Sequence, residues 1–170
     1  MAKVIAIVNQ KGGVAKSTSC VNLGIGLVKK GYKVLAIDFD PQGSLTESLG
    51  YQNPDELEIT VATILHCEMN GLELPESYGI LHHEEGLDIL PANIELSGVE
   101  VSLVNVMSRE YVLKQFIKLI SPEYDYILID NMPSLGDLFL LSMETMLISV
   151  TMHILSIIIT VILYGRMIEI

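Results

Sequence analysis

The chain has 170 residues, enough for one α/β domain with a real hydrophobic core. Hydrophobic residues make up 50% and charged residues 18%, which excludes a disordered composition. The net charge of −11 argues against a broad nucleic-acid surface and leaves room only for a small local patch. Cys20 and Cys67 have no metal-ligand spacing, so both read as reduced core or near-core residues of a cytosolic protein. Met1-Ala2-Lys3-Val4-Ile5 enters a strand at once, without a charged and then apolar leader, which predicts no secretory signal.

Val4-Ile5-Ala6-Ile7-Val8 is an apolar run that predicts a buried parallel strand. A turn with Gly12 and Gly13 follows, then Lys16-Ser17 at the start of a helical pattern. Strand, glycine turn and helix start are the context of a phosphate-binding loop. The glycines let backbone N–H groups turn inward. Lys16 can reach outer phosphates as a point charge, and the Ser17 hydroxyl can ligate Mg²⁺. The strict pattern G-x-x-x-x-G-K-[ST] is not met, because Gln10 and Ala15 stand where it requires glycine. Ala15 is a neutral replacement only if its φ is negative.

The next helix is expected over Ser17 to Lys30, with Val21, Gly24, Ile25 and Val28 on its packed face and Gly31 just past its end. Gly24 and Gly26 lower helix propensity, which close packing on a sheet would offset. Lys33 to Ile37 predicts a second buried strand, ending in Asp38-Phe39-Asp40-Pro41-Gln42-Gly43. Ligands of open α/β sheets sit at the carboxyl ends of strands. Asp38 and Asp40 therefore point at the crevice of the glycine loop if the two strands are neighbours.

A short helix is expected from Ser44 to Tyr51, then a loop over Gln52 to Asp55. Thr60 reads as the N-cap of a helix over Val61 to Met69, with Gly71 past its end. Gly71 to Gly86 is the least periodic stretch, and His82 and His83 in it read as solvated surface residues. Leu87 to Asn93 predicts a third strand running into an N-cap near Asn93 and a helix from Ile94 to about Val106. Ser108 is expected to cap a further helix with the stripe Leu113, Phe116, Ile117 and Ile120. Lys114, Lys118 and Arg109 lie off that stripe and read as a solvated face.

Tyr124 to Asp130 predicts a fourth strand: an apolar run with an aspartate at its carboxyl end, placed to hold Mg²⁺ through water. Pro133-Ser134-Leu135-Gly136 follows. From Thr145 to Gly165 no residue is charged. Leu147 to Thr151 fits a further strand. The remainder fits three readings: a truncated or frame-shifted end, a buried segment of a shortened domain, or a membrane span. Ser149, Thr151, His153, Ser156 and Thr160 count against the last.

Lys11-Gly12-Gly13-Val14-Ala15-Lys16-Ser17-Thr18 resembles the deviant Walker A loop of the ParA/Soj/MinD group of ATPases, and Asn9-Gln10 before it resembles the ParA/Soj branch. Asp38 to Gly43 resembles that branch's A′ motif, or switch I. Glu85 to Asn93 is also similar to the branch. Asp130 resembles its Walker B aspartate, and Pro133 to Gly136 its switch II entry. Asn131-Met132 departs from the commoner pattern, which carries a second proline. The resemblance runs from Lys3 to about Leu135.

It implies a doubly wound, mainly parallel P-loop sheet forming a single, C-terminally shortened domain over residues 1–170. It implies ATP held by Gly12, Gly13, Val14, Ala15, Lys16, Ser17 and Thr18, and Mg²⁺ held by Ser17 with Asp38 and Asp130. Asp40 is similar to the water-activating aspartate. Lys11 is similar to the signature lysine that reaches across an ATP-bound homodimer to the partner's phosphates, so that Lys11, Lys16 and Asp40 form the catalytic set. The implied setting is cytoplasmic plasmid or chromosome partitioning with a ParB-like partner and non-specific DNA. The acidic balance of this chain counts against DNA. Two alternatives are a non-hydrolysing ATP-binding remnant or regulator, and a membrane-recruited ATPase of the MinD type. Pro41-Gln42-Gly43 and the lack of a basic amphipathic C-terminal helix count against the second.

Overall fold

A computed structural model describes residues 2–8, 15–103, 111–132 and 148–151, the last as a backbone strand. Among the described residues six strands form one sheet: β1 Lys3–Val8, β2 Val34–Phe39, β3 Leu81–His82, β4 Asp88–Leu90, β5 Tyr126–Asn131 and β6 Ile148–Thr151. Their order is β3-β4-β2-β5-β1-β6. All pairings are parallel except the short antiparallel β3–β4. β1, β2 and β5 read as near-continuous apolar runs because helices cover both of their faces.

Alternation along the strands feeds two cores. Leu35, Ile37, Ile127 and Ile129 face α3 (Val61–Asn70), α4 (Leu96–Leu103) and α5 (Val112–Ile120). Val34, Ala36, Leu128 and Ile7 face α1 (Lys16–Val28) and α2 (Ser44–Ser48). This is the expected doubly wound architecture. Burying each of the larger side chains stabilises the fold by roughly 1.5–3 kcal/mol.

The packed stripe of α1 is displaced by one residue from the expected one. Cys20, Leu23, Gly24 and Leu27 are buried, whereas Val21, Ile25 and Val28 are only partly buried. Apolar residues surround so much of this helix that its sequence offers both stripes, and contact with the sheet selects between them. That contact runs through Gly24: a Cβ there would lie 2.9 and 3.0 Å from the Leu87 methyls and 3.5 Å from Leu128 Cδ1. The helix ends at Val28, with Lys29 as its cap, two residues before the expected end.

Later elements follow the sequence with local changes. The capping box at Thr60 is present, Thr63 being its reciprocal partner, and Gly71 ends α3 at φ 61°. The expected loop before α3 contains a 3-10 turn, Pro54–Glu56. The aperiodic stretch holds a second 3-10 turn, Glu76–Gly79, and β3, a two-residue edge strand too short to show periodicity. Asn93 does not cap α4 with its side chain. Its Oδ1 accepts from Thr60 Oγ1 at 3.3 Å, and Asp55 Oδ1 takes the Ile94 N–H at 3.1 Å instead. The stripe Leu113, Phe116, Ile117 and Ile120 is buried as expected. Ser108, Arg109 and residues 152–170 of the tail lie outside the described residues. Among those described, no helix is long and apolar enough to cross a membrane.

The close approach at Gly24 gives a direct test. Gly24→Val should overpack the Leu87–Leu128 contact and lower stability by about 1–3 kcal/mol, read by urea denaturation as a lower midpoint at constant slope.

Candidate functional site

β1 and β2 are not neighbours, contrary to the condition set by the sequence. β5 lies between them and pairs with both. This inserts the strand carrying Asp130 between the strand that leads to the glycine loop and the strand that carries Asp38. Asp38 and Asp130 are register partners on β2 and β5, and Ile7 of β1 is the partner of Asp130 on its other side. Neighbouring strands lie about 4.8 Å apart, and register partners project to the same face. Two carboxylates therefore stand side by side at the carboxyl edge of the sheet, on the face covered by α1. Asp38 is fully buried and Asp130 is 1% exposed.

The two are held very differently. Asp38 Oδ2 accepts from the Thr46 N–H at 2.9 Å and from the Thr46 hydroxyl at 2.7 Å. Its Oδ1 accepts from the Asp40 N–H at 3.3 Å. Neither oxygen of Asp130 has a hydrogen-bond partner among the described residues. Burial, and then the charge of Asp130, push Asp38 up to about 7 in spite of its hydrogen bonds. Burial also pushes Asp130 up to about 6, assisted by Asp40 and opposed by the nearby Ser17 hydroxyl and Lys16 ammonium. Ser17 thus lies close to Asp130 without a hydrogen bond of standard geometry. Burial and these two carboxylates raise the Cys20 thiol, which keeps it protonated and inert.

Lys16 and Ser17 open α1, and Lys16 is buried although charged. Ala15 precedes them at φ 58°, ψ 34°, in the left-handed region. The condition for a neutral replacement is not met, since glycine is the residue that adopts this conformation without strain. Asp40 leaves β2 in a turn closed by the Gly43 N–H on its carbonyl at 2.9 Å and by the Gln42 N–H on its Oδ1 at 3.0 Å. Asp40 is partly buried and Thr18 is exposed. Lys11, Gly12, Gly13, Val14 and the segment from Pro133 lie outside the described residues. The structure therefore brings Lys16, Ser17, Asp38, Asp40 and Asp130 to one edge.

Thr46 is the functional-site neighbour that sequence reasoning missed. It is fully buried, and its contact with Asp38 depends on α2 folding back over the end of β2. A hydroxyl eight residues after an aspartate carries no local signature of that contact. His82 also has a partner: its Nδ1 meets Asp88 Oδ1 at 2.5 Å, while Tyr124 Oη donates to Asp88 Oδ2 at 2.9 Å. This trio borders a cavity of about 770 Å³ at the amino-terminal ends of the strands, opposite the aspartate edge. Among the described residues no group of three or more His, Cys, Asp or Glu side chains is placed to hold a metal ion.

A mainly parallel sheet, a helix starting with Lys-Ser beyond β1, and aspartates ending β2 and β5 define a P-loop ATPase fold. A family model described as AAA domain matches residues 2–162. The chain belongs to this AAA-domain family, in its ParA/Soj-type group. It is 44% identical over 136 residues to the sporulation initiation inhibitor protein Soj of Bacillus subtilis, covering 80% of this chain and 52% of that protein. Its fold is similar to that of cobyrinic acid a,c-diamide synthase from Mycobacterium smegmatis, solved with bound ATP analog and magnesium. There the identity is 39% and the TM-score 0.82, over 89% of this chain and 59% of the other. A plasmid partition protein from Borrelia burgdorferi is 28% identical at TM-score 0.74, over 89% of this chain and 65% of the other. The chain spans about half the length of the curated relatives it matches.

Two consequences can be measured on protein free of nucleotide and metal. Asp130→Asn removes a buried carboxylate that has no hydrogen-bond partner among the described residues, and should raise stability at pH 8 by about 1–3 kcal/mol. Asp130 binds its proton more tightly when folded, with a pKa near 6 against an ordinary 3.8. The folded state is therefore favoured below the ordinary value and loses that advantage as pH rises through the folded one. The gain from Asp130→Asn should accordingly shrink toward pH 4, in thermal melts across that range. Ala15→Gly should raise stability by about 1 kcal/mol by relieving left-handed strain, read as a higher melting temperature.

Proposed function

We propose that this chain binds ATP with Mg²⁺ at the carboxyl edge of β1, β5 and β2, and hydrolyses the terminal phosphate as an ATP-dependent dimer in plasmid or chromosome partitioning. The observation that carries the reading is Asp130, a buried carboxylate whose two oxygens have no hydrogen-bond partner among the described residues, beside Lys16 and Ser17. Such a group is costly unless a cation and its waters complete it. The donor set suits Mg²⁺, which takes oxygen ligands, few carboxylates, its own waters and substrate phosphates. Ser17, with Asp38 and Asp130 through water, would hold it. When bound, the ion neutralises charge on the phosphates.

The chain's own residues supply the rest. Backbone N–H groups from Gly12 to Lys16, with Val14 and Ala15 between them and Thr18 just beyond, cradle the phosphates. The Lys16 ammonium lies on the outer phosphates. Asp40, fixed in its turn by the Gln42 N–H, orients the water that attacks the terminal phosphorus while the bond to the ADP oxygen breaks. Lys11 reaches the phosphates of a second copy, which makes hydrolysis depend on dimerisation. The relatives named Soj and plasmid partition protein support the partitioning setting, with a ParB-like protein as the stimulating partner.

Calorimetry of ATP with Mg²⁺, beside Lys16→Ala, tests the reading. Binding by the natural sequence and its loss in Lys16→Ala are expected; equal binding by both would overturn it. Lys11→Ala should then keep ATP binding in the monomer and lose phosphate release. Parallel loss of both would place Lys11 on the phosphates of its own subunit. Binding without phosphate release in the natural sequence, with DNA and partner present, would favour a non-hydrolysing regulator.

A further inference from the structure

Thr46 does more than face Asp38. Its hydroxyl donates to Asp38 Oδ2 at 2.7 Å and accepts from the Ala92 N–H at 3.2 Å. A hydroxyl has one proton to give, so these two contacts fix its rotor as well as its rotamer. The residue is fully buried, so no solvent replaces either contact. Ala92 belongs to the short segment that follows β4, and that segment anchors two helices. The Val61 N–H at the start of α3 donates to Pro91 O at 2.8 Å. The Thr60 hydroxyl donates to Asn93 Oδ1 at 3.3 Å, both residues being buried. The Ile94 N–H, just before α4, donates to Asp55 Oδ1 at 3.1 Å. The turn after Asp40 also lies close by: a Cβ on Gly43 would come within 3.3 Å of Ala92 O.

We infer that Thr46 is a positioning residue, whose hydroxyl aims the Asp38 carboxylate along the sheet edge and ties it to the segment 91–94 that sets the starts of α3 and α4. Among the described residues Asp38 accepts three hydrogen bonds, and two of them come from Thr46. Its backbone bond would survive any substitution that keeps α2, so the hydroxyl is the separable part. Thr46→Val keeps shape and branching while deleting the donor to Asp38 and the acceptor for Ala92. Thr46→Ser keeps both. The inference rests on the ATP–Mg²⁺ reading for its binding arm only.

The test has two arms. Amide exchange in nucleotide-free protein, followed at Ala92 and referenced to Leu35 and Ile127, should speed up about tenfold in Thr46→Val and stay unchanged in Thr46→Ser. Ala92 protection in Thr46→Val that keeps pace with the reference amides would overturn the tie. ATP affinity is then measured with Mg²⁺ and with EDTA. Thr46→Val should lose about tenfold of the Mg²⁺-dependent gain, the size expected for one hydrogen bond to a carboxylate, with affinity in EDTA unchanged. Thr46→Ser should retain the gain. A full gain in Thr46→Val, or equal losses with and without Mg²⁺, would overturn the positioning role. No ATP binding by the natural sequence would instead refute the nucleotide reading, and the exchange arm would still decide the tie. If Thr46→Val does not fold, Thr46→Ala, which leaves space at the hydroxyl, is read in the same two ways.

Discussion

Parallel register between β2 and β5 sets Asp38 beside Asp130 at the end of the sheet, and much of the local structure is an answer to that juxtaposition. Two buried carboxylates at strand spacing repel each other and have both lost water. Asp38 is compensated by three hydrogen bonds, all from the turn and helix that follow its own strand. Among the described residues, Asp130 receives the partial help of Lys16 and Ser17 across the edge. The uneven provision divides the labour: one carboxylate is anchored, and the other is left with unspent acceptor capacity. The arrangement is tolerated because the cores on the two faces of the sheet supply the stability that this edge withholds.

Most strands and most helices were legible in the sequence because their periods are clean. β1, β2 and β5 are unbroken apolar runs, α5 has one sharp apolar stripe, and α3 carries both its cap and its terminal glycine. A strand over Leu147 to Thr151 was expected from the family resemblance, and β6 lies at Ile148–Thr151. The failures share a different cause. The face of α1 is ambiguous because apolar residues surround it, and only contact with Leu87 and Leu128 chooses the stripe. β3 has two residues and no period. Asn93 is a reasonable cap by composition, yet its side chain accepts from the Thr60 hydroxyl, a contact the local sequence does not show. Strand order is also absent from local sequence, which is why the position of β5 between β1 and β2 had to come from the fold.

For the site, placement was legible where a residue stands at or beside the end of an element. Lys16, Ser17, Asp38, Asp40 and Asp130 were each marked by the end of an element, and the structure gathers all five at one edge. Thr46 was not marked, because its role exists only through contact with another residue's carboxylate. Residues that position others are invisible to motif reading for this reason: their spacing from the group they hold is a property of the chain's return path. The family model, which spans residues 2–162, takes in every one of these positions, although the chain covers only about half of its relatives.

Helix α1 connects the two glycine questions that the sequence raised. At Gly24 the helix touches the sheet so closely that a side chain would strike Leu87, which fixes the height and rotation of the helix. With the helix fixed there, its first residue, Lys16, is fixed too, and it is buried beside Asp130. The residue before it must then bring the backbone in at a left-handed angle, and Ala15 adopts that angle at φ 58° despite its methyl. The strain at Ala15 and the missing side chain at Gly24 are therefore two ends of one constraint. The sheet decides where α1 sits, α1 decides where Lys16 and Ser17 point, and the junction with the glycine loop absorbs the remainder. A glycine is dispensable at the junction, where strain costs about 1–2 kcal/mol, because a whole helix packed on the sheet holds the angle in place.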